Sequence, residues 1–100
     1  MKIVSAKYVF GLLALCAGTA HAADNHNGRD WAAACSACHG TNGHSVGGMA
    51  GLAGTDKTYI VNAMKDFKTG KRPATLMHQI AKGYSDEQIV QIADYVSKQE

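Results

Sequence analysis

Residues 35–39 read Cys35-Ser36-Ala37-Cys38-His39, and the rest of the chain is organised around them. Two thiols three apart, followed at once by a histidine, form the C-x-x-C-H attachment signature of a c-type haem. On a helical turn the three side chains stand at i, i+3 and i+4 and project from one face. The thiols then form thioethers with two haem vinyl groups, while His39 offers a ring nitrogen to the iron as one axial ligand. A structural disulfide, a redox dithiol or a zinc half-site would also use Cys-x-x-Cys. A thioredoxin-like site needs strands in a βαβ pattern around it, and no stretch of this chain reads as a convincing strand. A zinc site would recruit a fourth ligand such as His44, but a second ligand pair at the usual spacing is missing.

Upstream, the sequence opens on a different kind of segment. Lys2 and Lys7 make a positive n-region, Tyr8 to Ala17 is a short apolar run, and Ala20-His21-Ala22 fits a small-x-small cleavage site. The run is too short to span a bilayer comfortably. Residues 1–22 therefore read as a signal peptide that is removed, leaving 23–100 as a monohaem domain exported to a bacterial periplasm with no membrane span. Cys16 sits in this leader, but it follows Leu15 where a lipoprotein site needs a small residue, so it is expected to leave with the leader. The haem then uses both remaining cysteines.

The chain of 100 residues carries a formal charge of +2. Loss of Lys2 and Lys7 would leave eight Lys and Arg against eight Asp and Glu, so the basicity is largely a property of the leader. It gives no support for nucleic-acid binding. A domain of this size builds a marginal apolar core and usually leans on a staple. A covalent haem fits that need, because short helices can pack around its apolar macrocycle.

After a polar start, Asn27 reads as an N-cap with Asp30 near the positive end of the helix dipole. Trp31, Ala34, Cys35 and Cys38 share one helical stripe, which places Trp31 in the core. Gly40 to Gly54, with six glycines, reads as a loop, either merely flexible or running close against a flat cofactor. It lacks the preceding strand and the spacing of a phosphate cradle. Thr55 or Asp56 caps a helix to about Lys68, closed by Gly70, with Ile60, Ala63, Met64 and Phe67 as its buried stripe. Lys57, Lys65, Lys68, Lys71 and Arg72 gather cations there, a solvated face or a docking patch for an acidic partner. Beyond Pro73, Ala74 to Lys82 reads as a short helix ending at Gly83. Ser85 with Gln88 forms a capping box for the last helix, whose apolar face is Ile89, Ile92, Ala93 and Val96, flanked by Tyr95. The expected fold is a small all-α domain.

The iron's second ligand decides the chemistry. An open site would bind gases or peroxide, whereas a methionine sulfur gives a six-coordinate iron of high potential suited to electron transfer. The candidates are Met49, Met64 and Met77, with His44, His78 and the remote His26 as nitrogen alternatives. Met64 lies in an apolar helical stripe, where methionine usually packs. Met49 is ten residues from His39, and roughly 33 Å of extended chain does not exclude it by reach. Spacing leaves Met77 open among these.

Three stretches together carry a resemblance: Cys35-Ser-Ala-Cys-His39-Gly-Thr, Met64-Lys-Asp-Phe-Lys-Thr-Gly-Lys-Arg72, and Met77 with Ile80-Ala-Lys-Gly-Tyr-Ser-Asp-Glu87. They resemble small class I c-type cytochromes, and more narrowly the monohaem cytochrome subunit of flavocytochrome c sulfide dehydrogenase. The resemblance covers essentially all of the chain after the leader. It implies four or so short helices wrapped around one covalent haem, an N-terminal helix crossing a C-terminal one, His39 as proximal ligand and Met77 as distal ligand. His78, directly after Met77, is a competing ligand that would lower the potential. The implied function is electron transfer without a catalytic reaction of its own, with redox partner proteins such as a flavoprotein sulfide dehydrogenase subunit. The alternatives are a free carrier serving a terminal oxidase or reductase, and a haem with an open or bis-histidine site.

Overall fold

The last helix shows most directly why these residues fold as they do. Ser85 accepts from the Gln88 backbone N–H at 3.2 Å while the Gln88 side chain accepts from the Ser85 N–H at 2.8 Å. That reciprocal box, with Asp86 and Glu87 in the first turn, starts α5 (Asp86–Ser97). Its predicted apolar face, Ile89, Ile92, Ala93 and Val96, is buried throughout and forms the centre of the core.

The structure, a computed structural model, describes residues 26–100; the leader at 1–22 and Cys16 lie outside the described residues. The described residues begin with α1 (His26–Ala32), pass through a 3-10 turn over Ala33–Cys35 and continue as α2 (Ser36–His39). The junction residues Ala32, Cys35 and Ser36 keep right-handed helical backbone, so the three pieces run as one N-terminal helical segment. A second 3-10 turn, Thr41–Gly43, enters the glycine-rich loop. Then come α3 (Lys57–Thr69), α4 (Met77–Ala81) and α5. The described residues thus form four helical segments, and none is long and apolar enough to cross a membrane.

The most extensive helix contact is α1 crossing α5, and α3 packs against both α4 and α5. Gly28 makes the crossing possible. A Cβ there would fall 2.5 Å from the Gln91 carbonyl oxygen and 3.1 Å from the Tyr95 Cβ, so only glycine lets the backbones approach. Asn27 lies inside α1 rather than capping it, because the helix is already formed at His26.

In α3 the expected signals hold. Asp56 accepts from the Tyr59 N–H at 2.9 Å, and Gly70 takes the left-handed conformation that ends the helix. Ile60 and Met64 are buried, with Ala63 and Phe67 half-buried beside them. The short helix expected from Ala74 forms only over Met77–Ala81, because Leu76 before it has non-helical backbone.

Trp31 departs from expectation: it is 40% exposed rather than in the core. The face of α1 that meets α5 is Gly28 and Ala32, one position round from Trp31. The Trp31, Ala34, Cys35 and Cys38 stripe therefore looks away from the protein core.

Candidate haem site

The turn that carries Cys35, Cys38 and His39 is built by local hydrogen bonds. Ser36 Oγ donates to the Ala33 carbonyl at 2.7 Å, and the Gly40 N–H donates to the Ser36 carbonyl at 3.1 Å, closing α2 just after His39. Helical geometry through Cys35, Cys38 and His39 puts their side chains on one face. Cys35 and Cys38 are both free thiols. Burial pushes the Cys35 thiol above its ordinary value, with a backbone hydrogen bond opposing. Tyr84, from the turn between α4 and α5, has a raised phenol, first through burial and then through the nearby Cys35.

The decisive contact is at His39. Its Nδ1 lies 2.7 Å from the Ala50 carbonyl oxygen. A carbonyl only accepts, so Nδ1 carries the proton and donates it, leaving the Nε2 lone pair free to bind a metal. A metal-ligating histidine characteristically has such a partner behind it, which fixes the ring and raises its basicity. The donor set thus fits a c-type haem: two thiols on one turn, a histidine in the ligating tautomer, and apolar side chains beside them. Trp31 lies one turn before Cys35 on the same stripe, and Met49 and Leu76, both more than half exposed, adjoin Ala50 and Met77.

The glycine-rich loop is tied down rather than loose. The Gly43 carbonyl accepts from Leu52 and Ala53 N–H groups at 2.9 and 3.1 Å, and the Gly54 N–H donates to the Val96 carbonyl of α5 at 3.0 Å. These bonds carry Ala50 to its place behind His39. Asn42, left-handed at φ 52°, accepts from the Tyr95 hydroxyl at 2.7 Å.

The candidate second ligands separate by environment. Met64 is buried in the core, as its stripe implied. Met49 is exposed in the glycine-rich loop, next in sequence to Ala50, whose carbonyl backs His39. His44 is exposed, also in the loop. Met77 opens α4, half-buried and packed against the core cluster. His78 follows it about 100° round the helix, half-buried, with its Nδ1 buried and without a hydrogen-bond partner. Nothing is described of the side chain of His26.

Of the five clustered cations, three have partners within the protein. Lys57 pairs with Asp94 at 3.3 Å, and Lys68 reaches the Tyr84 carbonyl at 2.6 Å and Asp86 at 3.6 Å. The Arg72 guanidinium lies 5.0 Å from the Phe67 ring centroid and 5.8 Å from that of Tyr59. Lys65 and Lys71 are exposed.

Sequence reasoning found the thiols, His39 and the methionines but missed Ala50, Asn42 and Tyr95. Every residue has a carbonyl, so nothing marked Ala50. The Asn42-Gly43 dipeptide was the one readable signal, since Asn-Gly favours left-handed turns.

Comparisons with known proteins agree with this chemistry. The family described as cytochrome c oxidase, cbb3-type, subunit III matches residues 23–96. The cytochrome subunit of sulfide dehydrogenase from Chlorobaculum tepidum is 44% identical over 61 residues, 61% of this chain and 56% of that protein. Cytochrome c-554(548) from Halomonas halodenitrificans is 40% identical over 79% of this chain and 100% of its own length. The solved structure of cytochrome c4 from Acidithiobacillus ferrooxidans superposes with a TM-score of 0.68 at 32% identity, covering 81% of this chain and 52% of that one. The chain thus spans about half the length of the sulfide dehydrogenase subunit and of the solved cytochrome c4, and the match takes in the whole of c-554(548).

Proposed function

This chain belongs to the class I c-type cytochromes, with cytochromes c4 and c-554(548) among its relatives, and from that premise we propose that Cys35 and Cys38 hold one haem whose iron is ligated by His39 and Met77. Proteins of this family transfer electrons and are not themselves catalysts. The haem supplies a one-electron couple at iron. The chain's own residues do the rest: His39 presents Nε2 while Ala50 holds its other nitrogen, and Met77 offers a neutral sulfur from a packed position on α4. Neither ligand has to gain or lose a proton as the electron moves, which limits rearrangement. The observation that carries this reading is the His39 Nδ1 contact with Ala50, because it leaves the ligating nitrogen free beside two thiols.

A second reading, bis-histidine ligation, is favoured by one observation, the buried and unpartnered Nδ1 of His78. Optical spectra of the haem-loaded protein separate the two. His39/Met77 ligation gives a c-type spectrum with a weak far-red sulfur-to-iron band that Met77→Ala abolishes and His78→Ala keeps. A haem spectrum without that band in the unaltered protein contradicts the Met77 assignment.

We place the protein in the periplasm, exported by residues 1–22, where it accepts electrons from a dehydrogenase of reduced sulfur compounds. The support is the roles of relatives: a sulfide dehydrogenase cytochrome subunit and thiosulfate dehydrogenase electron acceptors. Reduction of the protein by a flavoprotein sulfide dehydrogenase and sulfide, faster than by sulfide alone, is the expected result. Equal rates would remove that donor and leave a free carrier serving another partner.

A further inference from the structure

We infer that Tyr95, on the C-terminal helix, is a positioning residue for His39: through Asn42 and the loop backbone it holds the Ala50 carbonyl on the histidine's Nδ1. The inference rests on the proposed ligation by His39 and goes beyond it.

The connection runs through contacts that follow one another in space. The Tyr95 hydroxyl donates to the Asn42 side-chain oxygen at 2.7 Å, joining residues 53 apart in sequence. Asn42 is the only non-glycine with positive φ among the described residues, a conformation unfavourable for most L-residues that Asn tolerates best when locally supported. It sets the direction of Gly43, which is buried and also left-handed at φ 79°. A Cβ on Gly43 would stand 2.8 Å from the Ala53 nitrogen and 3.0 Å from the Leu52 Cβ, so the returning chain presses directly on this residue. The Gly43 carbonyl accepts from both Leu52 and Ala53. Ala50, two residues before Leu52, then meets His39 at 2.7 Å.

The same helix holds the other end of the segment. The Gly54 N–H donates to the carbonyl of Val96, the residue after Tyr95. Adjacent residues of α5 thus clamp the 42–54 loop at both ends, and Ala50 lies between the clamps. The Val96 bond uses backbone alone and survives any side-chain change. The Tyr95 bond depends on one hydroxyl, and this is where the sequence exerts control.

The chemical consequence follows from the hydrogen bond behind a ligating imidazole. A well-held Nδ1–H···O=C bond raises the basicity of Nε2. A more basic ligand favours Fe(III) and lowers the potential; loosening Ala50 has the opposite effect. Tyr95 therefore biases the potential without touching the histidine.

The test uses the intact haem-loaded protein and Tyr95→Phe, which keeps the Cβ that lies against Gly28 and the aromatic ring and removes only the hydroxyl. Asn42→Gly keeps the left-handed backbone accessible and removes the acceptor. Each single variant is expected to speed solvent exchange of the His39 ring proton about tenfold, as for loss of one hydrogen bond, and to raise the reduction potential. The double variant should add nothing to either readout, because both substitutions break one connection. Lowered thermal stability with unchanged exchange and potential would overturn the inference, leaving Tyr95 as a helix contact only. So would fully additive effects in the double variant. Failure of the unaltered protein to attach haem would instead overturn the His39 reading and this inference with it.

Discussion

The two halves of the molecule are held together by different means. In residues 57–97, α3 and α5 each start on a side-chain cap and bury a continuous apolar stripe, with Ile60, Met64, Ile89, Ile92, Ala93 and Val96 meeting around Ala81. Residues 26–56 contribute only Ala32 to the buried hydrophobic core. Their order comes from the close crossing at Gly28 and from backbone bonds of the 40–54 loop to itself and to α5. The half that can hold the cofactor thus has little apolar packing of its own. A small c-type cytochrome can leave that deficit where the macrocycle supplies the missing apolar surface.

The largest effect should come from removing attachment. Cys35→Ala with Cys38→Ala is expected to abolish covalent haem, and hydrogen exchange should show protection lost first across residues 26–56. Uniform loss across both halves would break the distinction. Ile89→Ala empties a fully buried position on the other side and should cost about 3 kcal/mol in denaturant unfolding, with the folded haem spectrum unchanged. Ser85→Ala removes one arm of the capping box and should cost about 1 kcal/mol by the same measurement, with exchange in the 40–54 loop unaffected.

The smallest effect concerns pH. A hydrogen bond from Lys98 holds the Asp94 carboxyl below its ordinary range; burial opposes it, and Lys57 adds a further lowering contribution. Its folded-state value is therefore below the unfolded one. The stabilisation is complete above about pH 4 and is lost as pH falls through the lower folded value. Because these groups face solvent, Lys98→Met should reduce stability by no more than about 0.5 kcal/mol at neutral pH and flatten the acid limb of the stability profile.

How much of this was legible in the sequence differs between the same two halves. The capping box at Ser85 and Gln88, the cap at Asp56, the stop at Gly70 and the apolar face of α5 are local signals, and each formed as its chemistry dictates. Trp31 was misplaced for a physical reason. Periodicity identifies residues that share a face, but not whether protein or cofactor covers it, and the tight α1–α5 crossing selected Gly28 and Ala32 instead. In the loop, the bond from His39 to Ala50 joins a side chain to a carbonyl, and the one that Tyr95 donates to Asn42 spans most of the domain. Neither leaves a pattern in composition or spacing. Glycine count alone leaves the loop either flexible or cofactor-facing, whereas the structure shows it anchored on both His39 and α5.

The most direct test of the central claim is a proton NMR spectrum of the reduced, haem-loaded protein with its methionine methyl groups assigned. A sulfur ligand holds its methyl over the face of the macrocycle, where the ring current shifts it far upfield. The account predicts one such three-proton resonance, belonging to Met77, and its disappearance in Met77→Ala. An upfield methyl assigned to Met49 or Met64, or none at all, would contradict it.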